Sequence, residues 1–447
     1  MTAVSLTDER LFAALSDAVC EPIAGAERVT LHLRAETSDF IRFNHGAVRQ
    51  ATQVRQGHAT LAVVDGARRI ESTLALTGRL DADLAALRDE RAALRDQLPL
   101  LPEDAYLLLP DEVSSSRRHE TGALPSAQTL VAAVTQAARG HDFVGFHAGG
   151  PMVRAFADSR GQRHWHHVES FHLDWCLYHQ GDKAVKTTYA GTHWDGDEFA
   201  RRVAAGAARL PLLALAPRRL QPGAYRAFFT PTAMAELLGT LGWGGFGAQA
   251  RRTGTSTLSR LEHRDAQLHA GFTLTEDTAH AIAPAFTAEG FARPAAIALV
   301  DAGLAAGTLN SPRSARQYGL PANGAGPQEM PESLRLVPGT LADADVLAAL
   351  DTGLYVSNLW YLNYSDRQAC RLTGMTRFAC FWVEDGRLAA PLPVMRFDDS
   401  FLRMFGEGLI ALTDRAELIP DNATYDHRHL GSVTTPGALV EGWRLTL

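Results

Sequence analysis

Runs in which apolar and polar residues alternate with period two recur along this chain, and they constrain it to a sheet-rich fold. Val29–Arg34, Phe40–Asn44, Val48–Val54 and Ala59–Val64 carry the pattern and are separated by polar or glycine-containing turns. Successive side chains of a strand point to opposite faces, so each run can bury one row and wet the other. Four such runs predict an antiparallel meander. A second strand group is expected from Phe143 to Ala190, with a hairpin closed by Gly181-Asp182. Asp385-Gly386, flanked by Phe381–Glu384 and Arg387–Ala390, is a strong two-residue hairpin signal. Asn323-Gly324 marks a further turn.

Helical spacing is concentrated in the first half. Leu11, Phe12, Leu15 and Val19 share one face of Asp8–Cys20, with Thr7 or Asp8 as the cap. Leu80, Leu84, Leu87 and Leu94 do the same in Arg79–Leu98, which is expected to cover a sheet face. Ser126 caps a helix that stops near Gly140, and Glu198–Ala208 precedes a boundary at Pro217–Gly223. Pro110–Pro125 reads as a polar connector. The expected fold class is α+β. Residues 1–220 form an N-terminal antiparallel sheet with covering helices, and residues 221–447 a mostly-β C-terminal domain with few helices. Two or three domains suit 447 residues, and 46% hydrophobic with 21% charged residues leaves ample material for cores.

The net charge of −7 argues against a nucleic-acid or anionic-membrane partner, which would favour a basic surface. Four cysteines without a CxxC pair indicate a reducing compartment and no disulfide framework. The first residues, MTAVSLTDERLFAAL, lack the basic start and apolar core of a secretory signal. No run reaches the roughly 18 apolar residues of a spanning helix. The expected location is cytoplasmic.

The chemistry turns on Gly223–Ser259. A strand, Tyr225–Thr230, runs through Pro231 into an apolar helical run, Ala233–Leu238, and then into Gly239, Thr240, Leu241, Gly242, Trp243 and Gly244. The block RTGTSTLS (Arg252–Ser259) follows. This order resembles the TldD/PmbA family, and within it the non-catalytic TldE (PmbA) branch. The catalytic branch carries His-Glu-x-x-x-His where this chain has Gly239, Thr240 and Gly244. A catalytic zinc takes about three protein ligands plus water, and a nearby carboxylate accepts the proton of that water. Glycine offers no donor, and Thr240 is no base at neutral pH. Further blocks are similar: Glu276-Asp277 and Glu289-Gly290 within Phe272–Gly319, GLYVSNL (Gly353–Leu359), Arg371–Pro391, and the tail Gly431–Trp443. The catalytic branch places a zinc-binding cysteine near that tail, whereas Cys370 and Cys380 lie well upstream here. The likeness covers the chain from Pro222 onward, recognisably Phe40–Gln50, and the rest weakly.

What the resemblance implies is a chain without zinc of its own. It would partner a TldD-type zinc metallopeptidase as a heterodimer, or pair with itself when alone. An extended peptide would lie as an added strand in a shared chamber, for proteolysis of unfolded segments or maturation of modified peptides. The family label "modulator of DNA gyrase" implies no DNA contact. The expected chamber wall is Asn358–Arg377, with Trp360, Tyr361, Tyr364, Asp366, Arg371 and Arg377 as candidate peptide-binding residues; an ordinary buried sheet is the alternative.

Other readings start from the histidines. His164, His166, His167, His172, His179 and His193 fall close together, and Glu169 or Asp174 could complete a metal site for an independent hydrolase. The expectation is instead that they line the solvated face of a hairpin. His427 and His429 share a face if Tyr425–Leu430 is extended, with Asp426 pointing away. His119-Glu120 reads as part of an exposed polar loop. Gly242–Gly247 lacks the lysine and spacing of a phosphate loop; its glycines would abolish the active-site helix and permit a close backbone approach. A homodimeric peptide-binding module without catalysis is the third reading.

Overall fold

The four alternating runs merge into two long strands, β1 (Arg28–Asn44) and β2 (Ala47–Asp65), paired antiparallel from Arg28↔Val64 to Asn44↔Ala47. This computed structural model describes residues 4–21 and 27–446, so the first three residues of the N-terminal stretch read above lie outside it. The break expected between Arg34 and Phe40 does not occur, because its polar residues find partners inside the ladder. Glu36 and Ser38 are buried; Gln56 Nε2 donates to Glu36 Oε1 at 2.5 Å, and Ser38 Oγ donates to Glu36 Oε2 at 2.7 Å. Buried polar groups are tolerated when so paired. His45 and Gly46, both at positive φ (50° and 70°), make the hairpin turn.

β3 (Arg68–Ala75) follows, then β4 (Ser115–Glu120), β5 (Asp142–Asp158), β6 (Arg163–Gln180) and β7 (Lys183–Gly191). The sheet order is β3-β2-β1-β5-β6-β4, with β7 also on β6. β4 corrects the expected loop: His119-Glu120 ends a strand laid parallel along Arg163–Val168, and the His119 ring stacks on His167 at 4.2 Å. The β6–β7 hairpin turns at Gly181-Asp182 as expected.

One face of this sheet is apolar. Helices α1 (Glu9–Val19) and α2 (Leu80–Gln97) cover Leu31, Leu33, Leu61, Val63 and Trp165. Helices α3 (Ala127–Ala137) and α4 (Gly196–Ala207) cover Ile41, Phe43, Phe143, Leu173 and Trp175. Asp8 caps α1 through Arg10 N, and Ser126 caps α3 through Thr129 N. The other face carries the alternate residues of β1, β5 and β6, and the second half of the chain packs on it.

A short helix, α5 (Leu210–Leu213), leads to β8 (Gly223–Phe229), α6 (Pro231–Leu241) and a thirteen-stranded sheet. Its further strands are β9 (Leu274–Glu276), β10 (Ile297–Asp301), β11 (Leu304–Ala305), β12 (Ser333–Leu336), β13 (Gly353–Val356), β14 (Asn358–Asp366), β15 (Arg371–Arg377), β16 (Phe381–Glu384), β17 (Arg387–Pro391), β18 (Arg396–Ser400), β19 (Leu409–Pro420) and β20 (Ser432–Leu445). The main path is β11-β10-β9-β12-β20-β8-β13-β16-β17, while β19 pairs β20 and a β14-β15-β18 branch joins β20 through Phe397↔Leu445. Asp385-Gly386 closes β16–β17 at φ 51° and 70°. The α+β class stands, with a β-rich second half.

Candidate functional site

Thr230 caps α6: its hydroxyl accepts from Ala233 N and donates to Ser357 O at 2.6 Å, with Pro231 at the first helical position. The helix runs past the apolar run Ala233–Leu238 and through Gly239 to Leu241. Ala233, Met234, Leu237, Leu238 and Leu241 sit on its buried side. Burial contributes roughly 1.5–3 kcal/mol for each large apolar side chain, which outweighs the ~1 kcal/mol helix penalty of one glycine. The helix ends at Gly242. Beyond it the close approach is real: a Cβ on Gly245 would fall 2.5 Å from Leu241 O, and Gly244 sits at φ +92°.

Gly239 differs from these glycines, because a Cβ there meets nothing within 4 Å. It faces a cavity of about 380 Å³ between the two halves, lined by Glu236, Gly239, Thr240 and Trp243, by Lys186 and Thr188 of β7, and by Asp421 and Asn422 at the end of β19. Glu236 keeps part of its surface open to solvent, yet burial of its carboxyl raises its pKa and Lys186 opposes that. Asp421 Oδ1 accepts from Ala423 N at 3.0 Å, and Asn422 Nδ2 donates to Asp174 Oδ2 at 2.7 Å. Thr240 Oγ1 donates back to Glu236 O at 2.8 Å. The described lining holds two carboxylates and no histidine or cysteine, and Gly239 contributes no donor. This set does not fit a catalytic zinc, which needs about three such ligands with an open position.

The residues expected to form a chamber wall separate into two groups. Trp360 and Tyr361 are 51% and 74% exposed, and Arg377 stacks over the Trp360 ring at 5.2 Å. Tyr361 holds φ +58° at a bulge in β14. The other three brace the structure. Tyr364 Oη donates to Thr240 O at 3.0 Å and lies 3.1 Å from Thr257 Oγ1; burial pushes its phenol pKa up. Asp366 Oδ1 accepts from Gln368 N and Ala369 N, capping a turn. Arg371 Nη1 reaches Asp398 Oδ1 at 3.4 Å, beside Arg396 and Arg444 in a concavity of about 560 Å³. Sequence reading missed Arg396 and Arg444, which only strand pairing brings beside Arg371. Glu276 accepts from Glu332 N and Ser333 N at 3.0 Å, and burial raises its pKa to about 7.

The expected solvated histidine face is buried. His164, His166 and His172 do share a face of β6, but loops around Ile282, Phe286 and Arg428 cover it. His166 Nε2 lies 2.9 Å from Ile282 O, and the His164 ring stacks on Phe286 at 4.9 Å. Burial holds His147 and His166 at about 3 and His172 at about 4. His179 and His193 are exposed, and the group does not converge on one point. The residues around His427 form a loop rather than a strand, and Asp426, though exposed, lies beside the ring, with Oδ2 2.7 Å from His427 Nδ1. Asp426, His427 and His429 are, among the described residues, the group whose ligand atoms lie within 4.8 Å of one another. Arg34 Nη1 donates to His427 Nε2 at 3.1 Å, which leaves the ring proton on Nδ1 facing Asp426. Nδ1 lies close to Asp426 Oδ2 but is not aligned for a hydrogen bond, so Nε2 alone is engaged.

Comparison with known proteins agrees with this architecture. The family model described as the PmbA/TldA metallopeptidase C-terminal domain matches residues 222–446. No curated protein matches the chain by sequence. TldE from Thermococcus kodakarensis superposes with a TM-score of 0.75 at 13% identity, covering 94% of this chain and 97% of that one. A protein titled as a candidate modulator of a DNA gyrase from Thermotoga maritima gives 0.74 at 13% identity, over 98% and 99%. One so titled from Bacteroides thetaiotaomicron gives 0.73 at 17%, over 98% of each chain. At these identities the likeness establishes the fold.

Proposed function

This chain belongs to the PmbA/TldD metallopeptidase family, and from that premise we propose that it is a zinc-less, TldE-like partner of a TldD-type zinc peptidase. One observation carries the reading. Where the catalytic branch places its first histidine, Gly239 presents bare backbone to a cavity whose lining has no histidine or cysteine. The framework around that position is kept: the capped α6, the strand before it and the close-packed Gly245 turn. The chain would help to form a chamber for an extended peptide, with Trp360, Tyr361 and Arg377 on its wall. We read residues 1–220 and 221–447 as its two domains, and the protein as cytoplasmic, heterodimeric with a TldD-type subunit and homodimeric when alone.

Zinc content and peptide cleavage, measured for the chain alone and with a TldD-type partner, test the proposal. The expected result is sub-stoichiometric zinc and no cleavage alone, with cleavage when the partner is added. Stoichiometric zinc with turnover by the isolated chain sinks it.

A further inference from the structure

β15 exposes one row of side chains and buries the other: Leu372, Gly374 and Thr376 are inside, while Arg371, Thr373, Met375 and Arg377 face outward. On β18 the outward row is Arg396, Asp398 and Ser400, opposite Met375, Thr373 and Arg371. On β14, Trp360 stands opposite Met375. Arg444 of β20 closes the same concavity as Arg371, Arg396 and Asp398. One continuous face therefore carries Trp360, Arg371, Arg377, Arg396 and Arg444.

Its charge is unbalanced. Among the described residues, Arg371 shares Asp398, Arg377 lies over Trp360, and no ion pair engages Arg396 or Arg444. Asp366, at the end of β14, is already engaged by two backbone amides. The chain as a whole carries −7, so this cationic face is a local departure from its composition. A guanidinium presents a planar fork that matches a carboxylate. Among the described strands β14 pairs with β15 alone, so its outer edge keeps unpaired backbone groups, which suit an extended polypeptide. The net charge of −7 disfavours a long polyanion such as nucleic acid, which would extend beyond this face.

We infer that the outward face of β14, β15 and β18, with Arg444, selects acidic polypeptide segments, Asp- or Glu-rich stretches held in extended form. The inference rests on the peptide-chamber reading and names its substrate class. Arg396 and Arg444 choose the charge, and the Trp360–Arg377 stack supplies the apolar contact.

The test uses the full chain and three labelled peptides of equal length that differ only in Glu, Gln or Lys at alternate positions, with binding read by fluorescence anisotropy. The Glu peptide is expected to bind about five- to tenfold tighter than the Gln peptide at low salt, the contribution of two exposed ion pairs. That ratio should shrink as ionic strength rises to several hundred millimolar. An Arg396→Gln/Arg444→Gln double variant, with unchanged circular dichroism and melting midpoint, should bring the ratio toward one. Equal affinity for the Glu and Gln peptides, or a preference that survives the double variant, overturns the inference and leaves peptide binding itself standing. Binding of a single-stranded oligonucleotide as tightly as the Glu peptide also overturns it. If none of the three peptides binds, the chamber reading falls, and this inference falls with it.

Discussion

On β6, His164, His166 and His172 share a face with Ser170; on β15, Arg371 and Arg377 share one with Thr373 and Met375. Both rows are polar, and both alternate with residues that pack inward. The first row is covered by the 278–291 and 421–431 loops, and its imidazoles are held neutral by burial; the second is left uncovered. Alternation therefore reports which side chains share a face, while the rest of the chain decides what that face meets. Arg428 marks the boundary between the two cases. It is 3% exposed yet donates to Ser170 O at 2.7 Å, Ser170 Oγ at 3.0 Å and Gly150 O at 3.0 Å. Burial lowers its pKa to about 10, so it remains charged at neutral pH.

The sharpest way to break this contrast is to remove Arg428. Arg428→Ala removes the charged donor to Ser170 O, Ser170 Oγ and Gly150 O and should cost about 3–5 kcal/mol, read as a fall in the urea midpoint. Arg428→Lys should recover part of that loss. If Arg428→Ala unfolds like the parent, the covered face is not held as described.

Acid attacks both sides of this sheet: His166 and His172 lie in the covered row, and His147, paired with Ile41 and Leu173, lies on the helix side. Folding favours neutral His147, His166 and His172, so the unfolded chain binds more protons once pH falls below about 6.5, the ordinary imidazole pKa. Stability should be intact above that pH and be lost as pH falls toward the folded values of about 3 to about 4. Each group contributes at most about 1.4 kcal/mol per pH unit. Melting midpoints between about pH 7 and about pH 4.5 should therefore drop steeply, and His166→Gln should flatten the profile.

Two glycines sharpen the comparison at α6. Gly245→Ala drives a methyl into Leu241 O and should destabilise by about 1–3 kcal/mol. Gly239→Ala points into open space from a helix interior and should stabilise by about 0.5–1 kcal/mol. Thermal melts of the pair should therefore move in opposite directions. The smallest effect belongs to the open face: Trp360→Ala should change stability by under about 0.5 kcal/mol while weakening peptide affinity. A large stability loss there would mean that the ring is structural.

Much of the local structure could be read from the residues themselves. Asp8 and Ser126 cap helices that begin where their side chains meet backbone amides, and Asp385-Gly386 turns a hairpin because both residues accept positive φ; Thr230, read as the end of a strand, is a cap as well. Gly239 and Thr240 are legible as positions, since the helix that bears them starts from the Pro231 signal. The misses share a cause in distant partners. Glu36 and Ser38 looked like turn residues until Gln56 and Arg428 were brought beside them. β4 is held by a parallel neighbour some fifty residues on, which leaves no local trace. Asp426 faces His427 because a loop folds it there, whereas an extended segment would have turned it outward. Arg396 and Arg444 join Arg371 only through the pairing of three strands.

The bond from Tyr364 to the carbonyl of Thr240 joins two elements separated by 124 positions in the chain. Carbonyls in a helix's last turn lack a partner within the helix; Thr240 O accepts from Trp243 N at 3.1 Å in the following turn and from the phenol on β14 as well. The phenol therefore acts as a strut: a guest that shifts β14 pulls on the end of α6, and a change in the cavity beside Gly239 pushes back on the strand. A fluorophore at either end should report loading at the other.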